Sequence, residues 1–478
     1  MLRRTRVTRR SFMSATALGV GALARYIPLR EEWARAPQSA GPWKVDMTLY
    51  DRPGWCSHAW YHMRGEDGSI LVPIQSSDMG KPYGDFIRTE TDDLVLKSAD
   101  DGKTWTLFRD PGLTAYPWGC YGLPGRTHEG MLVSVVCAAY VLSAEERQEH
   151  LNRYGIARFY NAKSEWLYTP WPIALAPELR RKGIYVFIAP REGGKELAFS
   201  LNSFVCRTSR DGGKTWINRS IRGLPFNSDE AGSFRNTVVT RKGVWVASVF
   251  GTPNPERKPV IDAEFGSSRM PIGSFALRSQ DQGNSWQLVQ IAYDSTGEHS
   301  FDETALLELP SGRILAMIRH THWQKEKRED VYLYESHSDD QGRTWSTPSS
   351  TGMWGYPAHL LILRSGKILC TYGHRDDPWG HRASLSSDGG KTWDVGNIKL
   401  VRDDSLPGWT TYPMSSQLHD GTIFTTYGIL KKAAPGAIPA AKDGHEEDRY
   451  VYAAASFYSE AFVRPLGFGT AAERGSAS

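Results

Sequence analysis

The sequence predicts an all-β protein assembled from repeated antiparallel sheets, and three observations carry that prediction. An eight-residue pattern recurs five times, a glycine-bearing turn followed by a short apolar strand recurs seven times, and only one stretch, residues 144–153, reads as a helix. Composition permits such a fold. The 478 residues are 40% hydrophobic and 12% aromatic, enough for a large core and too apolar for a disordered chain. A prior of one domain per ~150 residues would give about three, but that prior fails for chains built from repeats.

The chain opens with five arginines in its first ten residues, which account for the formal net charge of +4. Without them the remainder is near neutral, so no nucleic-acid partner is expected. Thr8-Arg9-Arg10-Ser11-Phe12-Met13 precedes a mildly apolar run from Ser14 to Leu23, too short to span a bilayer. This resembles a twin-arginine export signal. It implies a signal peptide over residues 1–36, a periplasmic or secreted protein, and no membrane span in the mature chain. Five scattered cysteines match neither a metal pattern nor a disulfide framework and read as buried free thiols.

The repeats follow in order. Ser98 to Trp105, Ser209 to Trp216, Ser279 to Trp286, Ser338 to Trp345 and Ser386 to Trp393 all fit S-x-D-x-G-x-[TS]-W. Each position suits a tight turn: Asp accepts backbone N–H bonds, Gly takes positive φ, the hydroxyls close the turn and Trp packs beneath a strand. Between the first two patterns the spacing is about twice the others, which predicts a blade without the pattern, with residues 159–166 as its degraded copy. Seven turns (Gly68, Gly130, Gly193-Gly194, Gly243, Gly312, Gly366, Gly421) each precede a strand such as RILAMI or KILCTY. Seven turns imply seven four-stranded blades in a single domain over residues 43–465, with 466–478 as a disordered tail. A six-bladed ring requires one turn, the Gly193 region, to be an insertion. Residues 43 to 50 would return as the outer strand of the last blade.

The eight-residue pattern resembles the Asp-box of the sialidase superfamily of β-propellers, and the resemblance covers roughly residues 45 to 430. Inner strands of such a ring begin around one pocket, which counting back from the turns lines with His58, Tyr121, Phe234, Asp302-Glu303, Tyr356 and Tyr412. Phe301 to Arg313 matches the family's N-E-x-x-x-x-x-L-x-x-G-R strand, and Arg319 follows Glu303 by 16 residues. Thr411 to Gly421 keeps the family's Tyr, Leu and Asp-Gly spacing, and Arg382 precedes the last Asp-box. The resemblance implies Tyr412 as nucleophile, Glu303 as its base, Arg319 and Arg382 as a carboxylate clamp, and Asp85 as general acid, with Asp78 competing for that role. His359, Tyr356 and Arg235 are further substrate-binding candidates. His58 stands where the family's first clamp arginine belongs, which points away from sialic acid itself and toward another acidic sugar.

The function this implies is an exported exo-glycosidase that removes a terminal acidic sugar, sialic acid or a uronate-linked one, from a glycan. A neutral phenol suits an anionic substrate that would repel a carboxylate nucleophile. A polysaccharide lyase on the same scaffold, with His58 or another central histidine as base, is the alternative, and a non-catalytic glycan-binding propeller is a third. No histidine pair has a tight ligand spacing, so neither metal nor cofactor is expected. Oligomeric state is not legible.

Overall fold

In the computed structural model the described residues lie within 42–462. Outside them fall 1–41 and 463–478 and, internally, 79–90, 110–121, 139–168 except Asn152, 173, 175–185, 191–195, 201–202, 222–223, 225, 233–234, 254–259, 262–267, 270–271, 323–330, 409, 411 and 435–448. The export signal, the tail, Asp85, Tyr121, Phe234, the degraded pattern at 159–166, the Gly193-Gly194 turn itself and all but one residue of the expected helix therefore lie outside the described residues. No helix among them is long and apolar enough to cross a membrane.

Among the described residues six antiparallel sheets form the ring, not seven. Their inner strands open at Trp55–Ala59, Gly125–Arg126, Phe226–Gly232, His299–Glu308, Tyr356–Ile362 and Met414–Gln417, and define blades 1 to 6. The turn counted at Gly193-Gly194 falls between two strands of a separate three-stranded sheet, Thr169–Pro172, Val186–Pro190 and Glu196–Ser200. That sheet is an insertion between the second and third strands of blade 2, Leu132–Ala138 and Ser203–Ser209, which pair directly. A hairpin in an insertion carries the same turn signature as one in a blade, which is why the count ran one too high.

The blade without an Asp-box is blade 6, not one between the first two boxes. An Asp-box joins a blade's third strand to its fourth. In blade 6 the third strand is Arg449–Tyr458 and the fourth is Lys44–Tyr50 from the other end of the sequence, paired from Lys44↔Tyr458 onward. With no third-to-fourth connection, there is no turn for a box to build.

The five boxes share one hydrogen-bond scheme. In the last, Ser386 Oγ donates to Asp388 and accepts the Gly390 N–H, while Asp388 accepts the Thr392 N–H at 3.0 Å and its hydroxyl at 2.6 Å. The Thr392 hydroxyl first, then the backbone N–H groups, hold the Asp388 carboxyl down to about 2. Each box also leans on the blade before it. A Cβ on Gly102 of blade 1 would stand 2.9 Å from Phe457 of blade 6, and one on Gly390 of blade 5 would stand 2.7 Å from Leu315 of blade 4. The core lies between blades. One cluster joins Met47, Leu49, Phe424 and Phe457 of blade 6 to Val72, Ile74, Leu96 and Trp105 of blade 1. Cys56, Cys206 and Cys370 are buried and form no disulfide, as expected of structural thiols.

Candidate active site

Inner strands begin on one face of the ring, and the side chains at those beginnings meet. On blade 4 the pairing of His299–Glu308 with Ile314–His322 slips between Asp302 and Ala305, so the strand bulges at Glu303. Glu303 takes φ +34°, a left-handed conformation that a non-glycine residue rarely adopts and that tends to be held at functional sites. The bulge turns its carboxylate inward, where it is only 6% exposed. One oxygen accepts a short hydrogen bond from the Tyr412 hydroxyl, and the other accepts Arg319 Nη1 at 2.6 Å. Burial first, then the facing Glu303 carboxylate, hold the Tyr412 phenol well above its ordinary value, so it is a neutral donor. Burial would lower Arg319, but the Asp302 and Glu303 carboxylates outweigh it and raise the guanidinium well above its usual range.

Two more arginines surround this pair. Arg375, just past strand Ile368–His374 of blade 5, sits with its guanidinium 4.5 Å from the Tyr356 ring centre, while Arg319 lies 5.0 Å from the same ring. Arg375 Nη2 donates to the Thr410 carbonyl at 3.2 Å, and its buried Nε has no hydrogen-bond partner among the described residues. Arg235 lies 5.4 Å from the Tyr412 ring and donates to the Pro413 carbonyl at 3.0 Å. Burial brings Arg235 down to about 10, opposed by Tyr412 and Glu303. Trp60 covers the tyrosine from the other side, ring centres 4.7 Å apart, and is fixed by its indole N–H on Gln75. Three guanidiniums thus face two carboxylates, leaving one positive charge around Tyr412, Glu303 and Tyr356. A monoanion is what such a site balances.

Other sequence candidates fall elsewhere. Arg382 lies on the third strand of blade 5, Gly380–Ser386, and its guanidinium donates to the carbonyls of Pro378, His381 and Arg402. It is a backbone fastener, a strand further from the axis than Arg375. His58 is fully buried with its Nε2 2.8 Å from Cys56 Sγ, and its ring packs on Trp60, one layer behind Tyr412. His359 accepts the Ser415 N–H through Nδ1 at 3.3 Å, so its proton sits on Nε2. Burial first, then the Arg235 and His62 charges, keep His359 well below its ordinary value. It lines a central cavity of about 460 Å³ together with His62, Asn236 and Met414. Asp85 lies outside the described residues.

The sequence reading missed Arg375 and Trp60. A count forward from each turn would have found the first: Arg319 stands seven residues past Gly312 and Arg375 nine past Gly366, which share the parity that puts side chains on one face of a strand. Trp60, two residues after His58, follows the same parity. Among the described residues, one group has metal-ligand chemistry: Glu298, His299 and His322 on blade 4.

Fold and site together define a sialidase-type β-propeller with a buried tyrosine–glutamate pair. The chain belongs to the BNR repeat-like domain family, whose match covers residues 178–425, a little over half of the sequence. A protein of unknown function from Dyadobacter fermentans shares the fold with a TM-score of 0.57 at 18% identity, over 89% of this chain and 100% of that one. A sialidase from Streptococcus pneumoniae aligns with a TM-score of 0.49 at 11% identity, over 91% of this chain and 73% of that one. An α-L-arabinanase from Penicillium chrysogenum aligns with a TM-score of 0.44 at 12% identity, over 87% and 98%. At such identities the likeness is one of fold. A search of curated proteins yields no match.

Proposed function

We propose that this protein is a glycoside hydrolase that removes a terminal acidic sugar from a glycan. The carrying observation is the Tyr412 hydroxyl donating to a Glu303 carboxylate whose other oxygen is held by Arg319. Tyr412 Oη attacks the anomeric carbon as its proton passes to Glu303, and the glycosidic bond breaks with its electron pair on the leaving oxygen. Arg319 and Arg375, gathered on the Tyr356 ring, clamp the substrate carboxylate, and Arg235 offsets negative charge behind Tyr412. Asp85 is our proposed acid for the leaving oxygen. Its segment joins strands Ile70–Asp78 and Thr91–Ser98, whose connecting ends lie beside Trp55, on the face where the inner strands begin. Water then attacks the anomeric carbon as Asp85 accepts its proton, and the tyrosyl–sugar bond breaks with Glu303 returning its proton to the Tyr412 oxygen.

Incubation with sialosides and uronate-capped oligosaccharides, with product masses recorded, tests the reading. A free acidic sugar bearing one added water supports it. Tyr412→Phe and Glu303→Gln should each lower kcat by several orders of magnitude while leaving affinity within about tenfold. Near-normal turnover in Tyr412→Phe would sink the nucleophile assignment, and an unsaturated product would replace hydrolysis with elimination. We further propose that the enzyme acts outside the cytoplasm, on the strength of Thr8 to Met13. Arg9→Lys with Arg10→Lys should then retain the chain in the cytoplasm, and undiminished export of that double variant would refute the address.

A further inference from the structure

The strand pair that carries Glu303 and Arg319 ends in a cluster of histidines. His299 and His322 are direct cross-strand partners, their rings 4.6 Å apart and edge to face. His320 shares their side of the sheet, and its Nε2 lies 2.8 Å from His299 Nδ1. Glu298 precedes His299 at the end of a turn shaped by Asp294, whose carboxylate accepts the Thr296 N–H and hydroxyl and the His299 N–H. Glu298, His299 and His322 are half-buried, and each brings one ligand atom within 4.8 Å of the others. Phe301 and Tyr334 wall the cluster on its inner side, at 5.4 and 4.3 Å from the His320 ring.

We propose that Glu298, His299 and His322 bind one divalent transition-metal ion of the zinc type. Two imidazole nitrogens and one carboxylate oxygen make the three-ligand set that such ions accept, with a fourth position left for water. Calcium and magnesium, which require oxygen ligands, are excluded by the two imidazoles. A tetrahedral ion places its ligands roughly 3.3 Å apart, so three atoms already within 4.8 Å close by side-chain rotation alone. The hydrogen bond to His320 occupies His299 Nδ1 and leaves Nε2 for the ion, the support that a metal-binding imidazole ordinarily receives at its second nitrogen. The site is not the catalytic centre. It lies three residues along the strand from Asp302, roughly 10 Å away. An ion there would tie together the free ends of the two strands that position Glu303 and Arg319.

The test is calorimetric titration of the chelator-treated full chain with Zn²⁺, paired with visible spectra of the Co²⁺ form. The expected result is one ion per chain and a four-coordinate Co²⁺ spectrum. His299→Ala and His322→Ala should each weaken binding at least tenfold. His320→Phe, which keeps the ring packing but removes the acceptor, should weaken it about 10-fold to 100-fold. Melting curves accompany each variant, and if His299→Ala is unfolded, Glu298→Gln and His322→Asn make the same comparison. No saturable binding of either ion, or binding unchanged in the folded ligand variants, overturns the proposal.

Discussion

Arg375 directly follows the second strand of blade 5 and Arg382 sits on the third, and that difference decides which guanidinium faces the tyrosines. Arg375→Ala removes a cation from beside Tyr356 while breaking one backbone hydrogen bond at a half-buried position. It should lower kcat/KM about 10-fold to 100-fold, the worth of one charged hydrogen bond, and leave the melting temperature within a degree or two. Arg382→Ala instead removes three hydrogen bonds to backbone carbonyls, the buried one of His381 and the part-buried ones of Pro378 and Arg402. That should cost ~2–4 kcal/mol of stability with the activity per folded molecule little changed. Kinetics and melts on both variants check the assignment, and a reversed pattern would return the clamp to Arg382. Glu303, Arg319 and Tyr412 were legible in the sequence because each keeps a short, fixed spacing to a turn. Arg375 was not, because the family spacing was measured back from the Asp-box, where a third-strand arginine stands in the way.

At the scale of the element, the Asp-box is both a turn and a contact between blades, and only the first of these is visible in the sequence. The serine, aspartate, threonine and tryptophan positions announce the hydrogen bonds, whereas nothing in the pattern says which blade the glycine will touch. Gly390 and Gly366 separate the two roles. Their backbones are nearly alike, with φ +87° and +83°. A Cβ on Gly366 meets nothing within 4 Å, while one on Gly390 would stand 2.7 Å from a Leu315 methyl of the preceding blade. Gly366→Ala should therefore cost only the left-handed strain, ~1 kcal/mol. Gly390→Ala adds overpacking of a filled core and should cost ~2–4 kcal/mol. Chemical denaturation of the two variants measures the difference, and equal losses would mean that the box glycine serves its turn alone. The insertion in blade 2 was illegible for the converse reason: its hairpin obeys the same local rules as a blade, and only pairing with Leu132–Ala138 shows that Ser203–Ser209 belongs to the earlier sheet.

At the scale of the whole molecule, the ring is closed by noncovalent pairing between strands from opposite ends of the described chain. Lys44–Tyr50 pairs with Arg449–Tyr458, which is buried from Tyr450 to Tyr458, and the expectation that residues 43 to 50 fill this place is met. The closing strand also supplies Met47, Leu49 and Tyr50 to the cluster that joins blades 6 and 1. Leu49 is 1% exposed, so Leu49→Ala alone should cost ~2–5 kcal/mol through lost burial and the cavity left behind. A chain starting at Asp51 loses all three side chains and leaves the alanine-rich Arg449–Tyr458 strand as a bare edge, open to pairing with another molecule. That truncation should lower the melting temperature by more than Leu49→Ala does and should promote self-association at micromolar concentration. Adding a synthetic peptide of residues 42–50 should recover part of both losses, because the edge it fills is intact. Melting curves and sizing of the truncated chain, with and without peptide, decide the matter. A monomer with an unchanged melting temperature would mean that blade 6 holds with three strands and that closure lies elsewhere.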